Sequence, residues 1–154
     1  MNQLCLNRLM SSVLTATVAV ALCSCGAQRS GPGVIDPDAP KEFTTTESGL
    51  KYRILRKGVG QEPIPSDRVD VDYSGWLEDG TMFDSSYERA DPATFNRAAL
   101  ITGWAEGIQL IEEGGMIELE VPPDLAYGEE GRPPSIPPNA TLHFKIELHA
   151  INNL

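Results

Sequence analysis

From residue 50 onward the chain is dominated by alternation of apolar and polar side chains, the period of half-buried β-strands. Leu50, Tyr52 and Ile54 alternate with Lys51, Arg53 and Leu55 in a first strand, and Gly58 to Asp67, with Pro63 and Pro65, reads as loop. Val69, Val71, Tyr73 and Leu77 then share one face of a second strand, with Asp70, Asp72 and Ser74 on the other. A turn at Glu78-Asp79-Gly80-Thr81 returns the chain through Met82 and Phe83 to Asp84, so this segment predicts a hairpin ending in Phe-Asp. Ile117, Leu119 and Val121 define a third strand, closed by Pro122 and Pro123. Leu142, Phe144, Ile146 and Leu148 define a last one over Thr141 to Ile151, with His143, Lys145, Glu147 and His149 outward.

One stretch breaks the period. From Leu100 to Ile111, the residues Trp104, Ile108 and Ile111 fall at helical spacing, with Thr102 as N-cap, Glu106 toward the favourable end of the dipole, and Gly114-Gly115 as the stop. The pattern therefore predicts a sheet with this one short helix lying against it as its α-helical layer. Tyr87 to Leu100 has no clear period, although Phe95 fits a short strand leading into the helix. Asp124 to Asn139 carries Gly128, Gly131 and the pairs Pro133-Pro134 and Pro137-Pro138, the composition of a long loop stiffened by proline.

The amino terminus follows different rules. Residues 1–24 have an Arg8-bearing start and an apolar run from Leu9 to Leu22, the anatomy of an export signal. Leu22-Cys23-Ser24-Cys25 resembles the bacterial lipoprotein box, which makes Cys25 the expected lipidation site and new N-terminus. Gly26 in the following position points by analogy to the outer membrane. Residues 25–41, with Gly31, Pro32, Gly33, Pro37 and Pro40, read as a flexible tether outside the fold, and residues 42–154 as the domain. Cys5 and Cys23 leave with the signal, so Cys25 is the sole cysteine of the mature chain and no disulfide forms within it.

The 154 residues carry a formal charge of -10, and no Lys/Arg cluster supplies a nucleic-acid footprint. Neither His143 nor His149 has partners at metal-ligand spacing, and both read as solvated surface. No nucleophile elbow surrounds Ser85 or Ser86, and no phosphate-binding glycine loop occurs. What remains is an aromatic set, Tyr73, Phe83, Trp104, Tyr127 and Phe144. On residue types alone, ordinary core packing is favoured over a pocket.

Order and context add more. Residues 69–86 (Val-Asp-Val-Asp-Tyr-Ser-Gly-Trp-Leu-Glu-Asp-Gly-Thr-Met-Phe-Asp-Ser-Ser), 101–107 (Ile-Thr-Gly-Trp-Ala-Glu-Gly), 123–128 (Pro-Asp-Leu-Ala-Tyr-Gly) and 136–144 (Ile-Pro-Pro-Asn-Ala-Thr-Leu-His-Phe) together resemble the FKBP-type peptidyl-prolyl cis-trans isomerases. The resemblance spans Phe43 to Ile151. It implies an α+β fold, an antiparallel sheet of about five strands curled around the short helix. It also implies a pocket floored by Trp104, walled by Tyr73, Phe83, Ile136 and Phe144, and rimmed by Asp84 and Tyr127, with the Ile101 N–H as donor to a substrate carbonyl. Leu100, Arg89 and Arg132 join Ile136 as expected substrate contacts. No cofactor or metal is implied. The expected partners are proline-containing polypeptides, macrolide inhibitors of this class and, through the lipid, a membrane, with the domain monomeric in the bacterial periplasm. A non-enzymatic proline-segment binding module or holdase chaperone is the alternative use of the same cleft. Several departures bear on substrate choice: the segment between Asp84 and Trp104 is shorter than in the small members of the family, Ala93 stands where the family often has an aromatic wall residue, and Arg132 and Ser135 are more polar than is usual in their loop.

Overall fold

The computed structural model describes residues 31–152. The export segment and Cys25 lie outside the described residues. Seven strands form one antiparallel sheet: β1 (Thr44–Thr45), β2 (Lys51–Arg56), β3 (Arg68–Leu77), β4 (Met82–Ser85), β5 (Ala93–Asn96), β6 (Met116–Val121) and β7 (Leu142–Asn152). Their order is β1-β2-β6-β7-β3-β4, and β5 pairs with β3. The four strands of the alternation are all present, and the extra ones are the two-residue β1, β4 from the hairpin and β5.

The ten-residue β3 is the organising strand. Along one edge it pairs with β7 from Arg68↔Asn152 to Leu77↔Leu142. Its other edge is shared, with β5 on Arg68 to Val71 and β4 on Ser74 to Trp76. The alternation decides which face is buried: Val69, Val71, Ile117, Leu119, Val121, Leu142, Ile146 and Leu148 are fully enclosed and meet Trp104, Ile108 and Ile111 from across the sheet. At roughly 1.5–3 kcal/mol for each such side chain, this face is the main source of stability.

The helix is shorter than its apolar spacing suggests. α2 covers Thr102–Gly107, and a 3₁₀ turn at Ile108–Leu110 continues the same buried face before Ile111 turns extended. Ile101 is the N-cap, without a side-chain cap, and Thr102 is the first helical residue. Glu106 falls in the last turn, where the dipole disfavours it, and its carboxylate instead accepts the Ser48 hydroxyl at 2.7 Å. Gly107 explains part of the brevity: glycine weakens a helix, but a Cβ there would stand 2.6 Å from Leu119 Cδ1. The bare backbone lets α2 settle on β6.

The opposite face of the sheet differs from expectation. Asp72 and Glu147, assigned to solvent by alternation, are 3% and 6% exposed. A second, one-turn helix, α1 (Ser86–Arg89), lies there, and the stretch read as a free tether docks beside it. Gly33 N–H donates to Glu147 at 3.1 Å, Arg56 donates to the Val34 carbonyl at 3.3 Å, and Asp36 N–H donates to the Leu55 carbonyl at 2.8 Å. The fold thus begins before residue 42. His149 is likewise no free surface group, since its Nε2 lies 2.8 Å from Asp72 Oδ2. His143 stacks on Trp76 with ring centroids 6.1 Å apart.

Candidate active site

Between α2 and the curled sheet lies a cleft of about 730 Å³, within the ordinary range for small-ligand sites. Trp104 forms its floor and is 4% exposed. Three rings stand edge-on to that indole: Tyr73 at 5.1 Å, Phe144 at 5.2 Å and Phe95 at 5.7 Å between centroids. Phe83 adds a fourth wall, edge-on to Phe144 at 5.6 Å. These are the offset geometries the ring quadrupole favours, so the walls are fixed without filling the space between them. Gly75 makes the last pair possible, because a Cβ there would lie 2.7 Å from Phe83 and 2.8 Å from Phe144. The indole Nε1–H is enclosed and has no acceptor among the described residues.

The rim carries the polar groups. Tyr73 Oη donates to Asp84 Oδ2 at 2.5 Å, Arg89 Nη1 pairs with Asp84 Oδ1, and Arg89 Nη2 donates to Tyr73 Oη at 3.2 Å. Burial pushes the Tyr73 phenol up, and the hydrogen bond to Asp84 adds to it, so Tyr73 stays protonated. Burial alone would raise the Asp84 carboxyl, but the bonds from Tyr73 and Arg89 outweigh it and hold the group below its ordinary value. The rim is therefore a fixed carboxylate flanked by donors at neutral pH. Such a pair neither takes nor gives a proton readily.

The Pro-rich loop closes the other side. It begins with a 3₁₀ turn at Pro123–Leu125, and the Gly128 N–H reaches back to the Pro123 carbonyl at 2.9 Å. Arg132 and Ile136 exchange backbone bonds of 2.8 and 3.0 Å, and Asn139 N–H bonds the Gly128 carbonyl at 2.8 Å. This bonding presents Tyr127, Arg132, Ser135 and Ile136 to the cleft. Arg132 Nη1 donates to Tyr127 Oη at 3.3 Å. At the head of α2, Leu100 and Ile101 also line the cleft, and no turn or loop hydrogen bond among the described residues uses the Ile101 N–H.

The structure thus brings together every residue expected at the site: Tyr73, Phe83, Asp84, Leu100, Ile101, Trp104, Tyr127, Arg132, Ile136 and Phe144 line the cleft, and Arg89 reaches it through Asp84 and Tyr73. Phe95 was expected in a strand but not in the wall. It supplies an aromatic contact to both Tyr73 and Trp104, while Ala93 pairs with Val71 in β5. The signal for it was parity: Phe95 lies opposite the buried Val69 and two positions from Ala93.

Comparison with known proteins gives this geometry a lineage. A family profile described as FKBP-type peptidyl-prolyl cis-trans isomerase matches residues 60–149. The chain belongs to that family. A probable FKBP-type peptidyl-prolyl cis-trans isomerase of Haemophilus influenzae is 46% identical over 112 residues, covering 73% of this chain and 46% of that protein. The crystal structure of FkpA from Escherichia coli superimposes with a TM-score of 0.71 at 45% identity, covering 74% of this chain and 53% of the other. A peptidyl-prolyl cis-trans isomerase structure from Pseudomonas syringae gives a TM-score of 0.68 at 34% identity, with coverages of 74% and 84%. The chain spans about half the length of the curated relatives it matches. The FKBP fold is therefore shared, and the cleft lies within the matched region.

Proposed function

We propose that this chain catalyses cis-trans rotation about X-Pro peptide bonds, with the cleft above Trp104 as the site. The observation that carries the reading is the combination of an aromatic floor and walls with a rim of fixed donors. Rotation about an amide breaks no bond, and its barrier of about 18–20 kcal/mol is the loss of resonance in the twisted state. That state has less charge separation between carbonyl and nitrogen than the planar amide, so an apolar cleft favours it over water. The proline ring rests on Trp104 between Tyr73, Phe83 and Phe144. The Ile101 N–H and the Tyr127 hydroxyl hold carbonyl oxygens on either side of the rotating bond. Tyr127 accepts from Arg132 and so keeps its own proton free to donate. Asp84 orients Tyr73 and Arg89 and needs no proton exchange with the substrate. Leu100 and Ile136 contact the residues next to the proline.

The same reading places the enzyme outside the cytoplasm. The export segment and the Leu22-Cys23-Ser24-Cys25 box support lipidation at Cys25, a periplasmic domain and, through Gly26, an outer-membrane anchor. Exported polypeptides that contain proline are then the substrates, macrolides of the FKBP class the inhibitors, and the domain a monomer assisting folding. Because Gly33 already docks on the fold, the seven residues 26–32 separate lipid from domain, a reach of at most about 25 Å. Incorporation of labelled fatty acid, lost in Cys25→Ser, tests the anchor.

The catalytic reading is tested by protease-coupled isomerisation of an X-Pro peptide with the soluble chain and with Trp104→Ala. Acceleration by the wild type and its loss in a folded variant are expected. Equal rates with and without the protein would overturn it.

A further inference from the structure

The charge lining the cleft is unequal in its freedom. Among the described residues Asp84 is the single acid of the lining, and Arg89 neutralises it. Among the described residues Arg132 is the single cation of the lining, and no carboxylate lies in ion-pair contact with it. Glu129 and Glu130 precede it in the same loop but are exposed and do not pair with it.

Arg132 is nevertheless held. Its guanidinium carbon stands 5.8 Å from the Tyr127 ring centroid, Nη1 is engaged with Tyr127 Oη at 3.3 Å, and its backbone is locked to Ile136. One edge of the fork is thus occupied by the tyrosine and the other is open. A fixed fork with a free edge is the geometry that accepts a carboxylate, and holding it in advance lowers the entropy lost on pairing. The chain as a whole carries -10, so an acidic peptide gains little from the general field. Any preference for one must come from a local cation.

We infer that Arg132 forms a subsite for an acidic side chain adjacent to the substrate proline, so that Glu-Pro and Asp-Pro segments, or Pro followed by an acid, are the favoured sequences. The inference rests on the isomerase reading for the identity of the ligand. An exposed ion pair of this kind supplies up to about a fivefold preference at low salt, and added salt reduces it.

The test compares peptides with Glu, Gln or Lys on either side of one proline, read as kcat/KM for isomerisation and in parallel as Kd from the intrinsic tryptophan fluorescence of the full soluble chain. Ratios between peptides are used, so any general loss in a variant cancels. The expected wild-type order is Glu above Gln above Lys for at least one of the two placements, with about fivefold between the extremes at low salt. Arg132→Gln brings the ratio near one, Arg132→Lys retains part of it, and Arg132→Glu inverts it. A wild-type ratio of one, or an unchanged ratio in Arg132→Gln, would overturn the subsite while leaving the isomerase reading intact. Binding that follows the predicted order without any acceleration would support the subsite and overturn catalysis. Failure to bind or turn over any of the peptides would overturn both.

Discussion

The sharpest energetic consequence of this structure lies behind the cleft, at Glu147. This carboxylate sits directly opposite Asp72 on the neighbouring strand, so two buried acids face each other across the β3–β7 pair. Like charges so placed destabilise a sheet unless each has its own partners. Glu147 Oε1 accepts Arg56 Nη2 at 2.7 Å, and Oε2 accepts both Gly33 N–H at 3.1 Å and Tyr87 Oη at 3.0 Å. Asp72 has its own set, Ser86 Oγ at 2.7 Å and His149 Nε2 at 2.8 Å. In Glu147→Gln the side chain keeps its shape but only one oxygen, so the new NH₂ must face either Arg56 or the Gly33 and Tyr87 donors. Losing charge-assisted bonds costs about 1.5–3 kcal/mol. Relief of the repulsion with Asp72 returns about 0.5 kcal/mol. A net loss of about 2 kcal/mol is expected at pH 7, or a fall in Tm of about 8 °C.

The pH dependence has a definite sign. Burial alone would raise the Glu147 carboxyl, but the hydrogen bonds from Arg56, Gly33 and Tyr87 outweigh it, so the folded-state value is lowered. Its stabilisation is complete above the unfolded glutamate value of about 4.3 and disappears as pH falls through the lower folded value. Urea unfolding of wild type and Glu147→Gln between pH 7 and pH 2.5 should therefore show a gap that is constant down to about pH 5 and narrows below it. A gap under about 0.5 kcal/mol at pH 7, or one unchanged at the acid end, would refute the reasoning.

Two further perturbations probe the cleft. Asp84→Asn should lower kcat/KM about tenfold by weakening the charge-assisted contacts that place Tyr73 and Arg89. Because Asp84 is lowered and Tyr73 raised, wild-type activity should be level from pH 5 to pH 9 on an uncharged peptide, and a decline beginning near pH 6 would contradict the assignment. Phe95→Ala should cost about tenfold in kcat/KM through loss of its edge contact with Trp104. The same variant should lose about 2 kcal/mol of stability, and full activity in it would remove Phe95 from the wall.

Alternation along the chain was a sound guide to the inner face of the sheet, because a half-buried strand forces period two on its apolar residues. Val69, Val71, Leu142, Ile146 and their neighbours are buried where that period puts them. What alternation cannot say is what covers the other face. Asp72 and Glu147 are buried there by Ser86, Tyr87 and the segment near Gly33, irregular pieces with no periodic signature. Polar composition made the Gly33 segment look like a tether, yet backbone groups, not side chains, do most of its docking. The end of α2 was hidden for another reason: Ile108, in the 3₁₀ turn, and Ile111, extended just after it, are both buried in the core, so their apolar spacing matches that of a continuing helix. At the cleft, resemblance to a family located the floor, rim and most walls. Phe95 escaped because the segment between Asp84 and Trp104 departs from the family pattern, and it is the packing of β5 on β3 that carries its ring to Trp104.

The central claim is that the cleft above Trp104 lowers the barrier to X-Pro rotation. It is tested most directly by exchange NMR of a proline peptide with a catalytic amount of the soluble chain, while an FKBP-directed macrolide is titrated in. The account predicts fast cis-trans exchange that falls to the uncatalysed rate, tens to hundreds of seconds, as one equivalent of macrolide fills the cleft. Exchange that stays at the uncatalysed rate beside a folded protein that binds the peptide would contradict it and make this chain a holdase, and acceleration untouched by bound macrolide would place the chemistry elsewhere.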